Sequence, residues 1–124
     1  MFDLVLYQTP AGNYPVKDYI AKLAKKHKAQ ELASIDLYRK RLQEHGLQVN
    51  DVYHNTIKPI REGIYELRPD TTRIFFFCFS DNKIILLHAI EKKRKDIPPD
   101  EIAKAIQEKN EFLRRNKNGK GTKF

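Results

Sequence analysis

Apolar residues change their spacing twice along this chain, and the changes divide it into a strand with two helices, a group of strands, and a last helix. Phe2 to Tyr7 is a short apolar run halted by Pro10 and Gly12, which reads as a first strand. Asn13-Tyr14-Pro15 then opens a helix, because proline suits the first helical position, where an N–H would have no partner. Val16, Tyr19, Ile20, Leu23 and His27 follow at three- and four-residue steps and share one face. A second helix from about Ala29 turns Leu32, Ile35, Tyr38 and Leu42 inward, and Gly46 closes it as a left-handed C-terminal residue.

The period then shortens. Ile57 to Ile60, Ile64 to Arg68, Arg73 to Ser80 and Lys83 to Glu91 are runs rich in β-branched and aromatic residues. Glu62-Gly63, Pro69-Asp70 and Asp81-Asn82 separate them as turns, too short for the crossovers that parallel neighbours need, so an antiparallel meander is predicted. Ile74 to Phe79 and Ile84 to Ile90 are apolar on both faces, which predicts the two central, doubly covered strands. Pro98-Pro99-Asp100-Glu101 starts a last helix with Ile102, Ala105, Ile106 and Leu113 inward and Arg114 and Arg115 at its negative end. The expected architecture is α+β: an N-terminal strand and a helical hairpin packed on a curved antiparallel sheet, with a C-terminal helix. Residues 1–115 read as one domain, and 116–124, which lack apolar periodicity, as a disordered basic tail.

Composition narrows the setting. A chain of 124 residues fits one modest core, and no run approaches the roughly 20 apolar residues of a membrane span. The N-terminus has no positive region before its apolar run, so a secretory signal is not expected. A lone cysteine, Cys78, cannot form an internal disulfide, and a cytoplasmic location follows as the expectation. Lys and Arg outnumber Asp and Glu by 24 to 16, for a net charge of +8, which points to a polyanionic partner before a membrane surface.

Most catalytic signatures are missing. There is no paired Cys-x-x-Cys, no His-Glu-x-x-His, no phosphate-cradling glycine loop and no Gly-x-Ser-x-Gly elbow. His27, His45, His54 and His88 show no metal-ligand spacing, so neither a metal nor an organic cofactor is expected. What stands out is a dense set of cations in and beside the strands: Lys58, Arg61, Arg68, Arg73 and then Lys92-Lys93-Arg94-Lys95. Arg68 and Arg73 flank one turn, so antiparallel pairing brings them near each other.

Such a set suits phosphodiester cleavage by an internal 2′-hydroxyl, where fixed cations stabilise charge building on the phosphate. The reaction also needs a proton acceptor and a donor. A lysine among other cations can serve, as can His88, although His88 is read as sharing a strand face with Ile84, Leu86 and Ile90 and so equally as a packed residue. The plainer readings are a solvated loop for Glu91 to Asp96, pairing of Arg73 with Asp70 or Glu66, and core positions for Tyr65 and Phe75 to Phe77. Glu62, Glu66 and Glu91 read either as acid–base groups or as neighbours that neutralise arginines. Composition and spacing alone reach a small basic α+β domain that suits RNA.

The segment from Ile57 to Ile106 resembles HigB-like toxins of the RelE/ParE superfamily. Three pieces carry the likeness: Lys58-Pro59-Ile60 leading to Gly63-Ile64-Tyr65-Glu66-Leu67-Arg68; Arg73-Ile74-Phe75-Phe76; and Leu86-Leu87-His88-Ala89-Ile90 with Lys92-Lys93 before a proline-initiated helix. The resemblance implies a RelE-like fold and a metal-independent endoribonuclease that cuts messenger RNA, often on the ribosome, beside a helix-turn-helix antitoxin. It implies that Arg73 stabilises the transition state, that Arg68 positions the phosphate, and that Lys93 transfers a proton or neutralises charge. RNA contacts would fall to Lys58, Arg61, His88, Lys92, Arg94 and Lys95. The chain end, NKNGKGTKF, lacks the tyrosine or histidine that superfamily RNA cutters often place there, and Arg94 stands where threonine commonly follows the lysine pair. Two other functions fit the same residues less well: a gyrase inhibitor of ParE type, and an RNA-binding module without catalysis.

Overall fold

A computed structural model describes residues 1–116 and the backbone of 122–123. The tail expectation for 116–124 lies outside the described residues, apart from Asn116 and the strand at its end. The elements run β1 (Asp3–Leu6), α1 (Pro15–Lys25), α2 (Ala29–His45), a 3₁₀ turn (Gly46–Asp51), β2 (Ile57–Arg61), β3 (Ile64–Leu67), β4 (Thr72–Ser80), β5 (Lys83–Glu91), α3 (Pro99–Arg115) and a two-residue β6 (Thr122–Lys123).

β2 to β5 form the antiparallel meander that the short turns require. At the β2–β3 turn Glu62 and Gly63 both take positive φ, 52° and 79°, so the hairpin has the primed geometry that matches strand twist. The sheet as a whole is mixed, not antiparallel as expected. Its order is β2-β3-β4-β5-β1-β6, and β1 lies parallel to β5 with Leu4 opposite Ile84 and Leu6 opposite Leu86. Apolar residues on both faces of β5 leave its outer edge nowhere to go but under another buried strand, and β1 supplies three buried residues in a row. β4 and β5 sit inside the sheet, as their two-sided apolar pattern predicts.

Two cores flank the sheet. Leu4, Leu6, Ile74, Phe76, Ile84 and Leu86 pack beneath Val16 of α1 and Ile35 and Leu42 of α2. On the opposite face Phe75, Phe77, Ile85 and Leu87 meet Ala105 and Phe112 of α3. α1 and α3 each begin with proline in the first turn, and α3 carries Asp100 and Glu101 at its positive end, where acids are favoured.

Three local readings change. α3 buries Phe112 (2% exposed) and leaves Leu113 outward (39%), because Phe112 continues the line of Ala105 and Glu108 and meets the Phe77 and Phe79 rings edge-on. His27 falls outside α1, in the turn to α2, with φ of 56°. Gly46 has the expected positive φ of 60°, but its ψ of −142° lies outside the left-handed helical region, and a Cβ there would sit 2.4 Å from the Phe2 ring.

Candidate nucleic-acid interface

The register places the candidate residues in rows on the α3 face of the sheet. One row runs Lys58, Glu66, Phe75, His88 across four strands. Arg73 begins the next row opposite Ile90, and Arg68 follows the last residue of β3, beside it. The backbone N–H of Lys92 donates to the Thr71 carbonyl at 2.6 Å, which holds the start of the Lys92–Lys95 loop against the same end of the sheet. Arg68, Arg73 and Lys92 are therefore brought together. Arg61 is not, since it lies at the β2–β3 hairpin, the far end of these strands.

Arg73 is 7% exposed. Its Nη1 donates to the carbonyls of Asp70 at 2.9 Å and Thr72 at 2.8 Å, so half of its guanidinium pins the β3–β4 turn. Burial lowers its pKa below that of a free guanidinium, and Glu66 partly offsets this. An arginine keeps its charge under such a shift. Glu66 is 3% exposed, with Arg68 Nε 3.6 Å from its Oε1.

Four buried side-chain polar atoms among the described residues lack a hydrogen-bond partner, and three of them belong to this patch: Glu66 Oε2, Arg68 Nε and Arg73 Nε. Buried polar groups are nearly always satisfied, and here Arg68 Nε has only the 3.6 Å approach of Glu66 Oε1, so the three atoms have hydrogen-bonding capacity left for water or a bound group. The fourth, Arg41 Nε, belongs to a guanidinium laid over the Tyr38 and Tyr53 rings at 4.8 and 4.3 Å.

The turn that Arg73 pins is held from the other face by a polar cluster. Thr71 and Thr72 donate their hydroxyls to the carboxylate of Glu31 on α2, at 3.1 and 2.5 Å. Tyr19 of α1 lies 3.0 Å from the Thr72 hydroxyl, and burial raises its phenol pKa. The Asp70 carboxyl is raised too, by its closeness to Glu31. None of this was legible as function, because Glu31 lies forty residues away from its partners in sequence.

His88 needs a correction. It is 2% exposed and makes no surface for RNA. Its Nδ1 lies 2.5 Å from Glu108 Oε1 and its Nε2 3.0 Å from Glu101 Oε1, both on α3. Nor does it share a face with Ile84 and Leu86. A bulge opposite Phe75 and Phe76 puts Leu87 and His88 on the α3 side together, and alternation read from Ile84 misses it. Each ring nitrogen thus faces a carboxyl oxygen of α3, and the ring ties that helix to β5.

The remaining cations are open to solvent. Lys58 is exposed, Lys92 is half-buried, and Lys93, Arg94 and Lys95 project from the loop, Lys93 lying 3.9 Å from Glu91. A cavity of about 350 Å³ opens between this loop and the start of α3, with Ile90, Ile97, Lys92 and Asp100 among its walls. No group of three or more potential metal ligands occurs among the described residues.

An α+β domain with three helices on a mixed sheet is compatible with a RelE-like fold. The family model described as Phage derived protein Gp49-like matches residues 18–110, three quarters of the chain, from within α1 to within α3. The chain belongs to this family, which is part of the RelE/HigB-like toxin clan. No curated protein matches it.

Proposed function

We infer that the chain is the toxin of a type II toxin–antitoxin pair, of the HigB-like branch, and that it cuts messenger RNA in the cytoplasm without a metal or organic cofactor. The carrying observation is the trio of orphaned buried atoms, one acceptor and two donors, on adjoining residues of a basic strand end. In-line attack of a 2′-hydroxyl on its own phosphate needs that combination: an acceptor for the hydroxyl proton and fixed donors for the phosphate oxygens.

Glu66 takes the 2′-hydroxyl proton as the 2′-oxygen bonds to phosphorus. The donors of Arg73 and Arg68 face the oxygens where charge builds, with Arg73 held rigid by the two carbonyls that grip its other side. The 5′-oxygen leaves with a proton from the Lys92–Lys93 ammonium pair, and the 3′ side ends as a cyclic phosphate. Lys58, Arg94 and Lys95 hold the flanking backbone, consistent with their exposure. His88 serves by docking α3 on the sheet. A helix-turn-helix antitoxin with an acidic segment suits a partner of net charge +8, and clan membership supports that pairing.

The test is incubation of the purified chain with messenger RNA in excess EDTA, with and without ribosomes, beside Arg73→Ala and Glu66→Gln. Losing one fixed donor costs roughly 10²–10³-fold in rate, and Arg73→Ala is expected to fall in that range. Glu66→Gln keeps the shape but cannot take the proton, so it should lose activity while melting like wild type. RNA left intact by the wild type under both conditions refutes the proposal. So does cleavage that disappears on chelation.

A further inference from the structure

The cavity beside the Lys92–Lys95 loop carries charges that phosphate binding does not explain. Ile90, Ile97 and Pro98 give its lining an apolar part. Four carboxylates line it as well: Glu91, Asp96, Asp100 and Glu101. Glu101 is engaged by His88 and Glu91 lies near Lys93, but Asp96 and Asp100 have no partner among the described residues. In a protein of net charge +8, acids that share a cavity lining with lysines and an arginine repel a phosphate and attract hydrogen-bond donors. One ligand asks for both at once: a nucleotide, with its phosphate against the lysines and the amino edge of its base against the carboxylates.

The position fits. Ile90, which lines the cavity, is the cross-strand partner of Arg73, whose buried Nε has no hydrogen-bond partner. Cross-strand neighbours lie about 5 Å apart, so a phosphate at Arg73 has the cavity within one nucleotide's reach. The volume of about 350 Å³ also accommodates a flat base against Ile90, Ile97 and Pro98.

Resting on the RNA-cleaving function inferred above, we propose that this cavity is a base-reading pocket that takes one unstacked nucleobase next to the cut. Asp96 and Asp100 select bases that present amino hydrogens. Guanine is favoured first, because its N1–H and N2–H₂ lie side by side and match the two oxygens of a carboxylate. Adenine and cytosine each present one amino group. Uracil, with a single N–H between two carbonyls, sets its oxygens against the acids and is rejected.

The test reads binding, not cleavage. Hexamers of 2′-O-methyluridine cannot be cut, and a single guanine, adenine or cytosine is moved through each position in turn. Fluorescence anisotropy compares wild type, Asp96→Asn, Asp100→Asn and the double variant. One position should show guanine binding tighter than uracil by on the order of tenfold, the discrimination of a modest base contact. The double variant should reduce that preference to within about twofold while Arg73→Ala weakens all hexamers alike. Equal affinity of wild type for every hexamer overturns the pocket, as does a preference that survives in the double variant, or an absence of binding to any hexamer. The EDTA cleavage assay judges the RNA-cutting function separately, so loss of the pocket leaves that reading standing.

Discussion

Replacing the buried His88 with leucine should destabilise the chain markedly, although leucine is close to it in size. The ring sits between Glu108, nearly buried, and Glu101, whose side chain is 32% exposed. Leucine fills much of the space but leaves both carboxyls without a partner. Breaking a buried pair from one side costs roughly 3–5 kcal/mol. Glu101 can turn to water, so the lower end applies, and about 3 kcal/mol is expected, nearly all of it from Glu108. For a domain of this size that is a melting-point drop of roughly 10 °C. Removing the orphaned carboxyl as well, in His88→Leu/Glu108→Leu, should recover at least half, since an apolar pair of similar volume replaces a desolvated one. Differential scanning calorimetry on wild type, both single variants and the double variant gives the coupling directly. A His88→Leu loss under about 1 kcal/mol refutes the reasoning, and so does a double variant whose loss equals the sum of the singles. RNA cleavage measured below the melting range separates docking from contact: a residue that only seats α3 leaves the rate within a few-fold.

Phe112→Ala should cost roughly 3–5 kcal/mol by cavity formation against Phe77 and Phe79, and Leu113→Ala less than about 1; equal losses in urea denaturation would mean α3 is turned differently. Asp70→Asn should raise the melting temperature at neutral pH, because closeness to Glu31 raises the folded-state pKa of Asp70 above its ordinary 3.8. A raised carboxyl binds its proton more tightly when folded, so wild-type stability falls as pH climbs from that ordinary value through the raised one. The advantage of the variant should therefore vanish below about pH 3.8, and an advantage that persists there would show another cause.

The strands and helices were legible because each rests on a local rule that the sequence states openly. Pro15 and Pro99 mark helix starts, Gly63 a primed turn, and the two-sided apolar runs the inner strands. The parallel seat of β1 was not legible, since pairing direction is decided by which sheet edge still needs cover and not by any residue of β1 itself. The same holds for the site. Arg68, Arg73 and Lys92 gather as their flanking turns suggest, but Glu66 differs from any other acid only once its burial and its unpartnered oxygen are known. His88 was misplaced because a single bulged residue reverses strand alternation, and alternation carries no mark of a bulge.

The parallel seat of β1 also bears on how the chain reaches its folded form. Asp3 pairs with Lys83, eighty positions later, so β1 cannot be placed until β5 has been made. Closing a loop of that length is slow compared with forming the β2–β5 hairpins, and folding rates fall as such distant contacts come to dominate. Until β5 is made, the apolar residues of β1 and the outer edge of the sheet stay open together. A newly made chain is thus prone to aggregation over that interval, and a binder that covers β1 or that open sheet edge would protect it most by arriving then.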